Sequence, residues 1–196
     1  MFKAVQGDRL ESVVMVVLSR AARRVGLSIV LTLAGATSAL ALAQTAIATK
    51  SIDPQRYLGR WYEVARIPNS FQKNCEAATS DWAKQGDGEY AVVQTCHTGS
   101  PTGPSKTWKG NGKVLDPVAA KIRIGFFGGF IKQDYVVVDR ADDYSWCILS
   151  TATPKFFWIM SRRPVISAQQ KAQLVARSRQ LGFDVTPLVY DQQAPG

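Results

Sequence analysis

The chain has 196 residues, 46% of them hydrophobic and 20% charged, with 24 Lys and Arg against 15 Asp and Glu. That is long for one domain and short for two, and the apolar content excludes a chain that stays disordered. The single histidine, His97, argues against His-rich zinc sites and most nucleophile–base triads.

In chain order the first feature is an apolar run, Val25 to Leu42, preceded by Arg20, Arg23 and Arg24 and closed by Ala39-Leu40-Ala41-Leu42-Ala43. This pattern predicts a secretory signal over residues 1–43, cut after Ala43, with Met15 as the more ordinary start and residues 1–14 as a start-site artefact. An uncleaved anchor is the competing reading, because the run approaches the roughly 20 residues a spanning helix needs. Gly26, Ser28, Thr32, Gly35, Thr37 and Ser38 lower its hydrophobicity and favour cleavage. The Arg23-Arg24 pair permits a twin-arginine route, and no cysteine follows the small-residue site to carry a lipid. The expectation is therefore an exported protein of the periplasm, with outer-membrane association open. Without residues 1–43 there remain 19 basic and 13 acidic side chains, +6 on 153 residues. They are scattered rather than striped, so no nucleic-acid partner is expected; peripheral contact with an anionic lipid surface is the better use of the charge, and simply solvated lysines are the blander and favoured reading.

From residue 60 onward, strand-length runs rich in aromatic and β-branched residues alternate with turn clusters. The runs are 60–67, 76–84, 89–97, 106–115, 121–127, 135–140, 144–150 and 156–162. Gly86-Asp87-Gly88 marks a hairpin between the second and third, Asn111-Gly112 offers a further turn inside the fourth, and Gly128-Gly129 breaks the chain before the sixth. Pro164 ends the last run. Ser167 then caps a helix over 168–181, with Ala172, Leu174, Val175, Ser178 and Leu181 near one face and Gly182 closing it. A short strand over 185–190 completes the domain, 44–190, and 191–196 is expected to be a disordered tail. Eight sequential strands and one late helix predict an all-β, eight-stranded antiparallel up-and-down barrel with a C-terminal α-helix on its flank, since closure removes exposed edges. A two-sheet sandwich also satisfies the periodicity. An eight-stranded interior is either filled or holds one small ligand.

Asp53 to Pro68, containing Gly59-Arg60-Trp61-Tyr62, closely resembles the opening of the lipocalins, with their Gly-x-Trp-Tyr first-strand signature. Trp158-Ile159-Met160-Ser161-Arg162-Arg163-Pro164 resembles the last barrel strand of the branch containing bacterial outer-membrane lipocalins and apolipoprotein D. Phe126-Phe127-Gly128-Gly129-Phe130 resembles that branch's aromatic-glycine loop, and Asp139 with Tyr144 lies where the second lipocalin motif falls. The resemblance implies that Gly59, Trp61 and Arg162 are structural, with the guanidinium over the indole at the closed end, a contact worth roughly 0.5–2 kcal/mol. It also implies non-catalytic carriage of an apolar ligand, a fatty acid or lysophospholipid, with no cofactor, and it leaves a homodimer open.

Period-two alternation from Arg162 puts Met160, Trp158 and Phe156 in the cup, and alternation from Trp61 adds Glu63 and Ala65. Tyr135, Phe126, Phe127, Phe130 and Trp146 are further wall or rim candidates. Glu63 is the notable one: a carboxylate in an apolar cup binds a head group or water network, or forms a structural pair with an inward Lys or Arg. Three cysteines allow one internal disulfide. A hairpin register opposing Lys84 and Glu89 sets Cys75 opposite Thr98, with Cys96 on the neighbouring diagonal. Cys75–Cys96 is thus the expected pair, provided a bulge or the splaying strand ends bring the two closer. Cys147 remains as a buried small residue. No nucleophile elbow, calcium loop or phosphate loop is present. An enzyme reading would have to rest on Glu63, and a haem reading on His97, Tyr135 or Tyr144.

Overall fold

The computed structural model describes residues 47–194. The expected signal segment, its Met15 start and cleavage site, and tail residues 195–196 lie outside the described residues. Asp53 caps a one-turn helix, α1 (Pro54–Tyr57), accepting the Gln55 amide at 2.9 Å, with proline at the helix start where its missing N–H costs nothing. Gly59, at φ 93°, then turns the chain into β1 (Gly59–Arg66). Seven more strands follow: β2 (Cys75–Gly86), β3 (Glu89–Thr98), β4 (Ser105–Asp116), β5 (Lys121–Phe126), β6 (Ile131–Arg140), β7 (Trp146–Thr151) and β8 (Phe157–Ser161). Each pairs antiparallel with the next, and β1 pairs with both β8 and β2, so the sheet closes on itself. Helix α2 (Ala168–Gln180) and a two-residue strand, β9 (Val189–Tyr190), complete the chain.

Alternation along the strands creates two cores. Residues facing inward, among them Trp61, Trp82, Val92, Ile122, Val137 and Cys147, fill the lower barrel. Residues facing outward from β1, β6, β7 and β8, including Val138, Ile148, Phe157 and Ile159, pack under Leu174 and Val175 of α2 and Leu181 just beyond it. Each such burial contributes about 1.5–3 kcal/mol. Ser167 caps α2 by accepting from the Gln170 amide at 3.1 Å, and Gly182, at φ 90°, ends it. Asp139 of β6 fastens the helix through Arg177 at 2.6 Å. Ala172, expected on the packed face of α2, is exposed.

Five local expectations are corrected. Asn111-Gly112 is not a turn, because β4 runs straight through it. The glycine is there for close approach: a Cβ on Gly112 would lie 2.6 Å from the Trp82 indole and 2.9 Å from Val92. Strand β6 starts at Ile131, before the expected Tyr135, and β7 starts at Trp146, because Tyr144 is a turn residue at φ 63°. The last strand shortens to Val189–Tyr190. The tail is ordered by hydrogen bonds through Gln193: Asp191 is buried, its amide donates to the Val64 carbonyl at 3.1 Å, and the Gln192 carbonyl accepts the Ala77 amide at 2.9 Å.

Candidate functional site

The barrel is stoppered at the end where β1 begins. Trp61 is buried across the floor, its indole N–H donating to the Tyr57 carbonyl at 3.0 Å. The Arg162 guanidinium lies 3.7 Å above the Trp61 ring and donates to the carbonyls of Arg60 and Arg56 at 2.8 and 2.9 Å. A Cβ on Gly59 would sit 3.4 Å from that guanidinium, so glycine serves both the turn and the approach. Outside the floor, Tyr144 stacks between Arg56 and Arg140, each 4.4 Å from its ring, and accepts the Asp53 amide at 2.6 Å. Beside Trp61, the Cys147 thiol is buried and pushed up to about 12 by desolvation, so it remains an unreactive thiol.

Above the floor lies a cavity of about 350 Å³ whose wall is mostly apolar. Strand β8 supplies Trp158 and Met160 to it, the loop before β8 supplies Phe156, β6 supplies Tyr135 and β5 supplies Phe126. Trp158 is the hub of the aromatic wall, 5.8 Å from Tyr135 and 6.0 Å from Phe156, ring to ring. Phe156 in turn meets Phe71 edge-on at 6.0 Å. Burial pushes the Tyr135 hydroxyl up to about 12, so at neutral pH it faces the cavity as a protonated donor.

Glu63 lines the cavity, but its carboxylate is engaged. Oε1 accepts from Arg66 Nη1 at 2.6 Å and Oε2 from Gln72 Nε2 at 2.6 Å. Gln72 Oε1 accepts from Trp158 Nε1 at 2.8 Å and from Asn69 Nδ2 at 2.9 Å, joining the first loop to the aromatic wall. Arg66 spends Nη2 on the Gln72 and Cys75 carbonyls at 3.2 and 3.0 Å. Behind the pair lies Asp191, which accepts the Ala78 amide at 2.8 Å and stands 3.6 Å from Arg66. Burial and the nearby Glu63 charge push Asp191 up to about 8, against the pull of the Ala78 amide and Arg66. Burial raises Glu63 as well, with Arg66 and Gln72 opposing it.

Two expected site residues point elsewhere. Ala65 packs beneath α2, because β1 is irregular between Glu63 and Ala65. Glu63 pairs with inward Met160, whereas Ala65 pairs with outward Ile159 and Arg66 with inward Trp158. The bulge therefore reverses parity and brings in Arg66, which strict alternation places outside. Trp146 also packs against the helix-side core. Its neighbour Cys147 opposes Met160 and shares its inward face, which turns Trp146 outward. Phe127 lines the cavity from the rim, while Phe130 is 93% exposed beyond it. Alternation cannot identify Gln72 and Asn69, because both lie on a loop.

Cys75 opposes Thr98, but not by the expected register: Lys84 pairs with Tyr90 rather than Glu89, and irregularities at Lys84/Gly86 and Glu76/Thr79 each shift the pairing by one residue; the disulfide to Cys96 forms at a Cα separation of 5.4 Å. An irregularity between Glu76 and Thr79, with Ala77 at φ 47°, provides the bulge that brings the cysteines together. Among the described residues no group of three or more His, Cys, Asp or Glu side chains is placed to hold a metal.

Residues 52–193 match the family model described as a Lipocalin-like domain. The chain is 31% identical over 149 residues to the outer membrane lipoprotein Blc of Citrobacter freundii, covering 74% of this chain and 81% of that protein. It is 29% identical over 157 residues to apolipoprotein D of Mus musculus, covering 74% and 79%. Among solved structures, insecticyanin from the tobacco hornworm Manduca sexta superposes with a TM-score of 0.59 at 14% identity, over 75% of this chain and 84% of that one.

Proposed function

The chain belongs to the lipocalin family, whose members bind small hydrophobic ligands, and from that premise we propose that it is a non-enzymatic carrier of a single-chain lipid, a fatty acid or lysophospholipid, in the cell envelope. The observation that carries this reading is the aromatic cup of about 350 Å³ built on Trp158, Phe156, Tyr135 and Met160. An acyl chain leaving water for such a wall gains about 0.8 kcal/mol per buried methylene, and the stoppered floor sends the chain in methyl-first. Glu63, the residue on which an enzyme reading would have to rest, is held on both oxygens by Arg66 and Gln72 and has no oxygen left free for general acid–base work. The Cys75–Cys96 disulfide supports an exported location, and the Citrobacter freundii relative is by its name a lipoprotein of the outer membrane.

The mouth supports loading from a membrane. Phe71, Phe127, Phe130 and Ile131 stand 67%, 58%, 93% and 46% exposed around it, an apolar rim suited to the interfacial layer of a bilayer. Native mass spectrometry of the exported protein tests the carrier reading: a co-purified adduct with the mass of a fatty acid or lysophospholipid is expected. A protein that emerges empty, and takes up neither lipid from vesicles, contradicts it.

A further inference from the structure

The carrier reading leaves open which end of a lipid the cup tolerates inside, and the distribution of charge bears on this. Among the described residues, no Lys, Arg or His lines the cavity, and Glu63 is its only acid. Arg66, the nearest cation, is not among the lining residues and has both terminal nitrogens bound to Glu63, Gln72 and Cys75. The remaining polar groups of the wall are neutral. They include the Tyr135 hydroxyl, the hydroxyls of Thr79 and Thr95, the amides of Asn69, Gln72, Gln94 and Gln133, and Ser80, whose oxygen accepts from Trp82 and Gln94 at 2.9 Å each. Such a wall can hydrogen-bond an uncharged ligand group, but it has no counter-ion for a carboxylate or phosphate taken out of water.

The mouth has the opposite character. β1 runs away from the floor, so the loops after β1, β3, β5 and β7 surround the open end. These loops, residues 67–74, 99–104, 127–130 and 152–156, contain Lys73 and Lys155 and no Asp or Glu. Lys132, the second residue of β6, adds a third exposed cation, and Glu76, the second residue of β2, adds an acid whose Oε2 accepts the Gln192 amide at 2.8 Å. Each lysine follows directly on, or precedes, a residue of the cavity lining: Gln72, Ile131 and Phe156 respectively. Lys155 Nζ lies 5.5 Å from the Phe156 ring. The turns after β2, β4 and β6 at the closed end, 87–88, 117–120 and 141–145, instead carry Asp87, Asp142 and Asp143 and no Lys or Arg, although the floor itself holds Arg56 and Arg162, and Arg163 follows β8 there.

Resting on the carrier reading, we propose that the cup sorts ligands by where their charge lies: the interior takes uncharged groups only, and an anion ending a single long acyl chain is held outside at Lys73, Lys132 and Lys155. A carboxylate on a short chain must then choose between entering a wall with no cation and leaving methylenes in water. On a long chain it reaches the lysines with its methylenes buried. A zwitterionic head of the same chain length lacks the net charge that the lysines attract.

The test displaces the neutral probe N-phenylnaphthylamine from the purified protein at low salt. One arm compares octanoate, laurate and palmitate with octanol, dodecanol and hexadecanol. The alcohol should outbind the carboxylate by about tenfold at octyl length, and the gap should close at hexadecyl length; a gap equal at all lengths overturns the proposal. The other arm compares lysophosphatidylglycerol with lysophosphatidylcholine of the same chain. The anionic lipid should bind more tightly, and the advantage should vanish at high salt and in the surface variant Lys73→Gln/Lys132→Gln/Lys155→Gln. Equal binding of the two by the unaltered protein overturns it. Tighter palmitate binding without a lysophosphatidylglycerol advantage also overturns it, because the lysines recognise an anion whichever lipid bears it. If no ligand displaces the probe, alcohols included, the carrier reading itself fails and the charge sorting falls with it.

Discussion

Glu63, Arg66 and Asp191 show how one buried position can be structural and still shape a ligand site. Two carboxylates share one guanidinium, and Arg66 Nε and Asp191 Oδ1 have no hydrogen-bond partner among the described residues. A proton on Asp191 relieves the crowding, consistent with its rise to about 8 from an ordinary 3.8. Between those values the folded chain holds more protons than the unfolded one, so stability falls as pH rises through that window. Glu63, also raised, acts in the same direction. The urea midpoint should therefore decline between about pH 5 and about pH 8, and Asp191→Asn should flatten the slope; an unchanged slope in the variant would refute the assignment. The presence of Glu63 in the cup is legible from its spacing to Trp61. Its partner is not, because Arg66 faces inward only after the bulge, and Asp191 lies 128 residues further along the chain.

At the scale of elements, β1 is the strand that decides the wall. It pairs with β2 only from Gly59↔Trp82 to Tyr62↔Thr79 and then leaves it. Above that point β9 pairs with β1, and the tail beyond it reaches β2 through Gln192 and Asp191. Gln193 adds bonds to the Glu63 and Ala78 carbonyls at 3.1 Å each. A chain ending at Tyr190 should lose about 3 kcal/mol of stability in urea unfolding, as buried amides and carbonyls lose their partners; a loss near zero would show the tail to be an ornament. The nearby disulfide fixes the β2–β3 hairpin at the same end. Its replacement by Cys75→Ala/Cys96→Ala should cost about 3 kcal/mol for a loop of that length, read as a lowered thermal midpoint. Strand count, order and the capped helix are legible because periodicity, turn glycines and Ser167 are local signals. The tail reads as disordered because Asp191, Gln192 and Gln193 are polar and find their partners only across the gap between β1 and β2.

For the whole molecule, the barrel divides the apolar residues into a filled lower core, an outer core under α2 and an unfilled upper cup. Composition cannot distinguish a filled barrel from a hollow one; the difference lies in where Trp82 and Trp61 stop and in the space that Gly112 leaves for Trp82. What remains open is a cup whose aromatic wall centres on Trp158, a half-buried residue whose removal enlarges the cavity without touching the floor. Titration of a fluorescent fatty acid into the unaltered protein and into Trp158→Ala, with near-ultraviolet circular dichroism to check that the barrel remains folded, tests most directly the proposal that this cup holds a lipid. The variant should bind at least about tenfold more weakly while keeping its fold; equal affinity in the two folded proteins would place the ligand elsewhere.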